Sequence, residues 1–199
     1  MNGYTLVKFL HVSGAIGYFA VMGTLLFGLA ALRRARRVEH VRALADLVGR
    51  LTPFFVTSIL LLLAAGLYMT FTAWSVQTGW IVIALVTLLL IVPIATATVQ
   101  PRLRVIAQLA HEAPDGPLPA ELFARTHDPV LVATPQTATA LLLGIVFLMT
   151  NKPALSVALL VMALALVLGL ASVVLVGRPP RAVERGETAD PAVMSEPAR

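Results

Sequence analysis

Apolar residues in this chain run in long unbroken blocks instead of alternating with polar ones. Five blocks stand out, at 4–32, 52–73, 80–99, 130–150 and 154–176, and none carries a charge in its central part. A helix of about 20 residues spans a hydrocarbon layer about 30 Å thick, and every block reaches that length. Backbone groups in lipid must be satisfied within the chain, which leaves helices or a closed barrel. Runs such as Leu60 to Ala65 and Leu88 to Val92 lack the period of two that a barrel strand needs. The pattern predicts an all-α, polytopic transmembrane helical bundle of five spans, forming one domain over 1–176. From Gly177 onward Pro, Glu, Arg and Ala replace the apolar run, so 177–199 reads as a disordered cytoplasmic tail.

Polar residues set the direction. All of the 15 basic residues except Lys8 and Lys152 fall in the connections after the first and third blocks or in the tail. The bias of Lys and Arg toward the cytoplasm then predicts an N-terminus outside and a C-terminus inside, as an odd number of spans requires. The expected location is the bacterial cytoplasmic membrane, with the bilayer as the surrounding partner. The first block has no basic residue before Lys8 and ends in arginines, so it is expected to stay in the mature protein instead of being cleaved. Tyr4, Trp74 and Trp80 fall at the outer boundary, where interfacial aromatics gather.

The connections have structure of their own. Val38, Val41, Leu44 and Val48 recur at helical spacing, with Glu39–Arg42 and Asp46–Arg50 as supporting pairs. This segment is expected to extend the first span or to lie as a helix on the inner surface. The second connection starts at Gln100-Pro101, keeps Leu103, Ile106 and Leu109 on one face, and breaks at Ala113-Pro114-Asp115-Gly116-Pro117. Asp128 is placed to cap the fourth span. The second span opens Leu51-Thr52-Pro53 and closes Met69-Thr70; the fourth opens Ala133-Thr134-Pro135 and closes Met149-Thr150. Two hairpins of like orientation would form a four-helix core, with the fifth span packed beside it.

Composition reinforces this reading. Hydrophobic residues are 58% and charged residues 13% of the chain, with mean hydropathy +0.88, far from the roughly 25% charged residues of soluble domains. The absence of cysteine excludes disulfides, thiolate metal sites and Cys nucleophiles. The net charge of +5 reflects the sorted arginines; no nucleic-acid-binding motif accompanies them.

His11 is the most informative side chain, because an ionisable group inside a span is a functional candidate by default. Gly14, Ala15 and Tyr18 follow on the same face, and small residues there admit a neighbouring helix or a flat cofactor such as haem b. His11, Gly14 and Tyr18 are therefore the candidate cofactor-binding residues. For a metal, His11 with Met69 and Met149 supplies soft sulfur and imidazole donors, and Met162 lies deeper. The competing reading has His11 hydrogen-bonded structurally and the methionines packed in the core. His40, His111 and His127 all fall in cytoplasmic connections, on the wrong side to complete a bis-histidine haem. No triad, phosphate loop, carboxylate pair or zinc motif is present, and catalytic residues are not expected.

Val7-Lys8-Phe9-Leu10-His11, followed by Gly17-Tyr18-Phe19-Ala20, resembles the opening of HemJ-type protoporphyrinogen oxidases and CopD-like copper-resistance membrane proteins. It is most similar to an uncharacterised bacterial family of integral membrane proteins near these. Thr78-Gly79-Trp80 and Arg102-Leu103-Arg104 extend the resemblance weakly. It implies haem binding through His11, or copper handling. The HemJ-type pattern continues after Gly-Trp with a histidine and, two residues on, an essential lysine; this chain has Val82 and Ala84 there.

The remaining polar residues are mild. Thr96, Thr98 and Gln100 face Thr134, Gln136, Thr137 and Thr139 in sequence register, and hydrogen bonds between the two spans are expected to satisfy them. The expected role is a non-catalytic accessory or scaffold subunit of a larger membrane complex or a homo-oligomer. Haem b binding and copper handling are the alternatives.

Overall fold

The computed structural model describes residues 2–176; the reading of 177–199 as a disordered tail falls outside them. Six helices follow one another: α1 (Gly3–Arg34), α2 (Val38–Ala73), α3 (Gly79–Glu112), α4 (Ala120–Thr126), α5 (Val130–Asn151) and α6 (Leu155–Val176). Among the described residues there are no strands, only an isolated bridge between Arg37 and Pro117. Five helices are long and apolar enough to cross a membrane, the fourth counted as Ala120–Asn151. Large apolar side chains, among them Phe9, Phe27, Phe54, Phe71, Leu90 and Leu160, face outward. A soluble monomer rarely exposes such patches, whereas a bilayer accommodates them.

α1 packs along α2, α3 packs against α5, and α6 lies on α5 with a smaller contact to α3. Two buried clusters result. One joins Tyr18, Met22, Ile59, Trp80, Leu88, Leu142, Leu148 and Met162. The other joins Leu29, Leu32, Val38, Val41, Leu103, Ile106, Leu122 and Leu131. The first belongs to the end of the bundle that carries both tryptophans; the second belongs to the arginine end.

The arginine end departs from the sequence-based expectation. The segment after Arg37 is neither an extension of α1 nor a separate surface helix. It is continuous with the second span, because Pro53 is accommodated inside α2. Likewise α3 runs through Pro93 and Pro101, and α5 through Pro135. Helices in a bundle tolerate such prolines, since neighbours re-satisfy the freed carbonyls. The short α4 lies within a connection with no predicted element.

Tertiary contacts also override the expected local pairs. Arg42 does not hold Glu39. Its Nε donates to the Ala110 carbonyl at 3.0 Å, Nη2 to Ala113 O at 2.9 Å, and Nη1 to Asp115 at 2.9 Å. Glu39 pairs with Arg37 and accepts from the Gly116 amide at 3.3 Å. Asp46 meets His111 at 2.9 Å, not Arg50. A single-turn pair is worth a few tenths of a kcal/mol, so a carbonyl-rich helix end recruits the guanidinium easily. The Gly116 carbonyl accepts the Val38 amide at 3.0 Å and Arg36 O accepts the Leu118 amide at 3.2 Å, tying the two connections together.

Asp128 behaves as expected of a cap, accepting from the Val130 amide at 2.9 Å, and also holds Arg102 at 2.9 Å. The expected hydrogen bonds between the third and fourth spans are not made, and the buried Thr137 hydroxyl has no partner among the described residues. Thr98 and Thr139 donate to carbonyls of their own helices, Ile94 at 2.6 Å and Pro135 at 2.8 Å. Gln136 instead accepts from Ser172 on α6 at 2.8 Å. A carbonyl one turn back is already within reach and needs no partner helix.

Candidate functional site

The site is built where α1 and α2 touch most closely. A Cβ on Gly14 would lie 2.8 Å from the Leu62 backbone nitrogen, and one on Gly17 would lie 2.6 Å from Ser58 Oγ. Such contacts exist only because both positions lack a side chain, as in small-residue interfaces between membrane helices. The approach carries His11 onto α2, where its Nδ1 lies 2.9 Å from the Leu62 carbonyl oxygen. A carbonyl can only accept, so Nδ1 carries the proton and donates it. In the neutral ring Nε2 then keeps its lone pair.

Gly66 completes the fit. A Cβ there would stand 3.0 Å from His11 Cε1 and 3.1 Å from Nδ1. Gly66 looks like any small residue in the run Leu60 to Leu67, and nothing in its spacing singles it out. One signal was available: a glycine costs up to about 1 kcal/mol in a helix interior, so its presence there invites a packing reason.

His11 borders a cleft of about 630 Å³ formed by α1, α2, α3 and α5 at the tryptophan end. Its walls include Ala15, Tyr18, Leu63, Gly66, Met69, Trp74, Trp80, Leu88, Ile145 and Met149. That volume lies within the range of small-molecule and cofactor sites, roughly 300–1,000 Å³. Thr70 and Thr150 also border it, but their hydroxyls donate to Gly66 O at 2.9 Å and Val146 O at 3.0 Å. Tyr18 lies at the lower end, buried, its ring 5.1 Å from that of Phe55.

Of the residues singled out in the sequence, His11, Tyr18, Met69 and Met149 thus border one cleft. Gly14 sits on the adjacent face of α1, in the contact with Leu62. Met162 packs against Gly144 in the α5–α6 contact, its sulfur 2.9 Å from where a Cβ would stand. His40, His111 and His127 lie on segments of the arginine end. Among the described residues no three His, Asp or Glu side chains are grouped to hold a metal.

The two Met-Thr pairs that close the second and fourth spans, Met69-Thr70 on α2 and Met149-Thr150 on α5, both border this cleft. Trp74 and Trp80 meet edge-on with centroids 5.4 Å apart. Lys152 Nζ rests 4.6 Å from the Trp74 ring centroid.

Residues 5–153 match the family described as "Predicted integral membrane protein (DUF2269)", and the chain belongs to it. The match spans α1 to α5 and every residue bordering the cleft. No curated protein and no solved structure matches the chain.

Proposed function

We propose that this protein is a non-catalytic, ligand-holding subunit of the bacterial cytoplasmic membrane, oriented with its arginine end in the cytoplasm. Its ligand sits in the cleft at the tryptophan end. The observation that carries the proposal is the Nδ1 contact of His11 with Leu62 O beside a cleft of about 630 Å³. A backbone carbonyl on one ring nitrogen is the usual outer partner of a ligating histidine; it fixes the tautomer and raises the basicity of the other nitrogen.

Haem b is the cofactor this donor set fits best. His11 would hold the iron through Nε2, and Met69 or Met149, which border the same cleft, would offer a second donor. Bound haem would supply one-electron exchange. The chain's own residues orient the imidazole through Leu62 and Gly66, exclude water with an apolar wall, and close the lower end with Tyr18. A second reading, Cu(I) held by His11, Met69 and Met149, is favoured by all three bordering one cleft and by the softness of thioether sulfur.

An absorption spectrum of protein purified from haem-supplied cells tests the first reading. A Soret band that is absent in His11→Ala and present in His40→Ala is expected; a folded, colourless protein overturns it. Stoichiometric copper by elemental analysis, reduced in Met69→Leu and Met149→Leu, would establish the second. The lack of native cysteines makes orientation easy to read. Gln77→Cys should react with an impermeant thiol reagent applied to intact cells, and Glu121→Cys should not.

A further inference from the structure

We propose that the cleft takes an apolar molecule bearing a carboxylate, which enters sideways from the bilayer between α1 and α5 and leaves its carboxylate beside Lys152. This rests on the reading of the cleft as a ligand site, and not on ligation by His11.

The lateral opening is visible in residues that border the cleft and yet face outward. Val12 and Ile16 on α1 are 47% and 66% exposed, and Leu143 and Val146 on α5 are 57% and 40% exposed. A side chain that is both wall and surface marks a mouth. Lower down, Tyr18 and Met22 join Ala138, Leu141 and Leu142 in one buried cluster, so the gap is confined to the tryptophan end. A molecule already dissolved in the leaflet therefore reaches the cleft without crossing water.

Lys152 supplies the charge at the rim. It ends α5 in a left-handed conformation, φ 50° and ψ 52°, which a non-glycine residue rarely adopts and which persists only where surroundings hold it. Its ammonium is seated on Trp74, which is itself part of the cleft wall. Every Asp and Glu of the described residues lies at the arginine end, so no carboxylate there pairs with Lys152. An ammonium at the edge of an apolar cavity, with no carboxylate beside it among the described residues, selects an anionic head with an apolar body. From Trp80 to Leu88 the cleft descends about 12 Å by helical rise, which gives that body depth.

Two molecules share this chemistry: a long-chain fatty acid and haem, whose macrocycle carries carboxylates. Both tryptophans of the chain border the cleft, so energy transfer from their emission reports an occupant there. Titration of the detergent-solubilised protein with cis-parinaric acid, which absorbs where tryptophan emits, should give saturable energy transfer if the occupant is a fatty acid. Lys152→Asn should weaken the acid about tenfold and leave its methyl ester unchanged. Asparagine accepts the left-handed conformation, so the turn is preserved. Val146→Phe, which narrows the mouth, should slow association.

If haem is the occupant, Lys152→Asn should instead lower the haem-to-protein ratio in the purified protein. The proposal is overturned if acid and ester bind alike and haem content does not change in Lys152→Asn, or if Val146→Phe leaves association unaltered. A Soret band indifferent to His11→Ala would remove the ligation by His11 and leave this proposal standing.

Discussion

Gly66 on α2 leaves the space into which the His11 imidazole of α1 fits: a Cβ would stand 3.1 Å from Nδ1, the atom that donates to Leu62. Two helices are thus joined by a polar contact between residues 51 positions apart in the chain, one that a single methyl group would disturb. In Gly66→Ala the imidazole must move by a few tenths of an ångström. The weakened hydrogen bond loses about 1 kcal/mol, and alanine's helix preference returns about as much. Melting in detergent should change little, while the ¹⁵N resonances of His11 and any Soret band should shift. A large loss of stability with an unchanged His11 spectrum would contradict this account.

Gly14 and Gly23, on the same helix, should respond in opposite directions. At Gly14 the added methyl meets backbone, Leu62 N at 2.8 Å and Ser58 O at 3.1 Å, and the helices must separate. Gly14→Ala should destabilise by about 1–3 kcal/mol, as overpacking does. Nothing lies within 4 Å of a Cβ at Gly23, so Gly23→Ala should be neutral or stabilise by up to about 1 kcal/mol. Thermal unfolding of the two variants checks the contrast.

Arg42 acts through geometry more than charge. Its three donors reach two carbonyls at the end of α3 and the Asp115 carboxylate, which a lysine's single ammonium cannot reproduce. Arg42→Lys should lose about 2 kcal/mol and make the 113–119 connection more sensitive to protease. Equal protease resistance in the two proteins would show that the connection is held by something else.

Glu39 gives the arginine end an acid limit. Its own backbone amide, the Arg37 guanidinium and the Gly116 amide hold the carboxylate, lowering its pKa from 4.5 to about 2. A lowered folded-state value favours the ionised form, so its stabilisation is complete above pH 4.5 and is lost as pH falls toward 2. The stability difference between wild type and Glu39→Gln should therefore be constant near neutral pH and shrink between pH 4.5 and 2. A difference that grew with acid would reverse the assignment.

The helical class and five apolar blocks were legible because a bilayer imposes length and apolarity on any segment that crosses it, whatever the neighbours. Asp128 was legible as a cap because capping is local. The helix boundaries at Pro53 and Pro101 were misread for the converse reason. A proline rule describes an isolated helix, and these helices continue because packed neighbours sustain them. The pairs Glu39–Arg42 and Asp46–Arg50 failed likewise, outcompeted by residues on α3 and its following loop.

At the site, His11 stood out as an ionisable group in an apolar run, and Met69 and Met149 as soft donors. Their meeting at one cleft, the choice of Nδ1 as donor, and the parts of Gly66 and Lys152 depend on α1, α2 and α5 coming together across more than a hundred residues. Sequence alone determined which segments leave water, since transfer into hydrocarbon is summed residue by residue along the chain. Tertiary structure alone decided where a cavity remains and which side chains border it, since that follows from how closely particular helix faces approach.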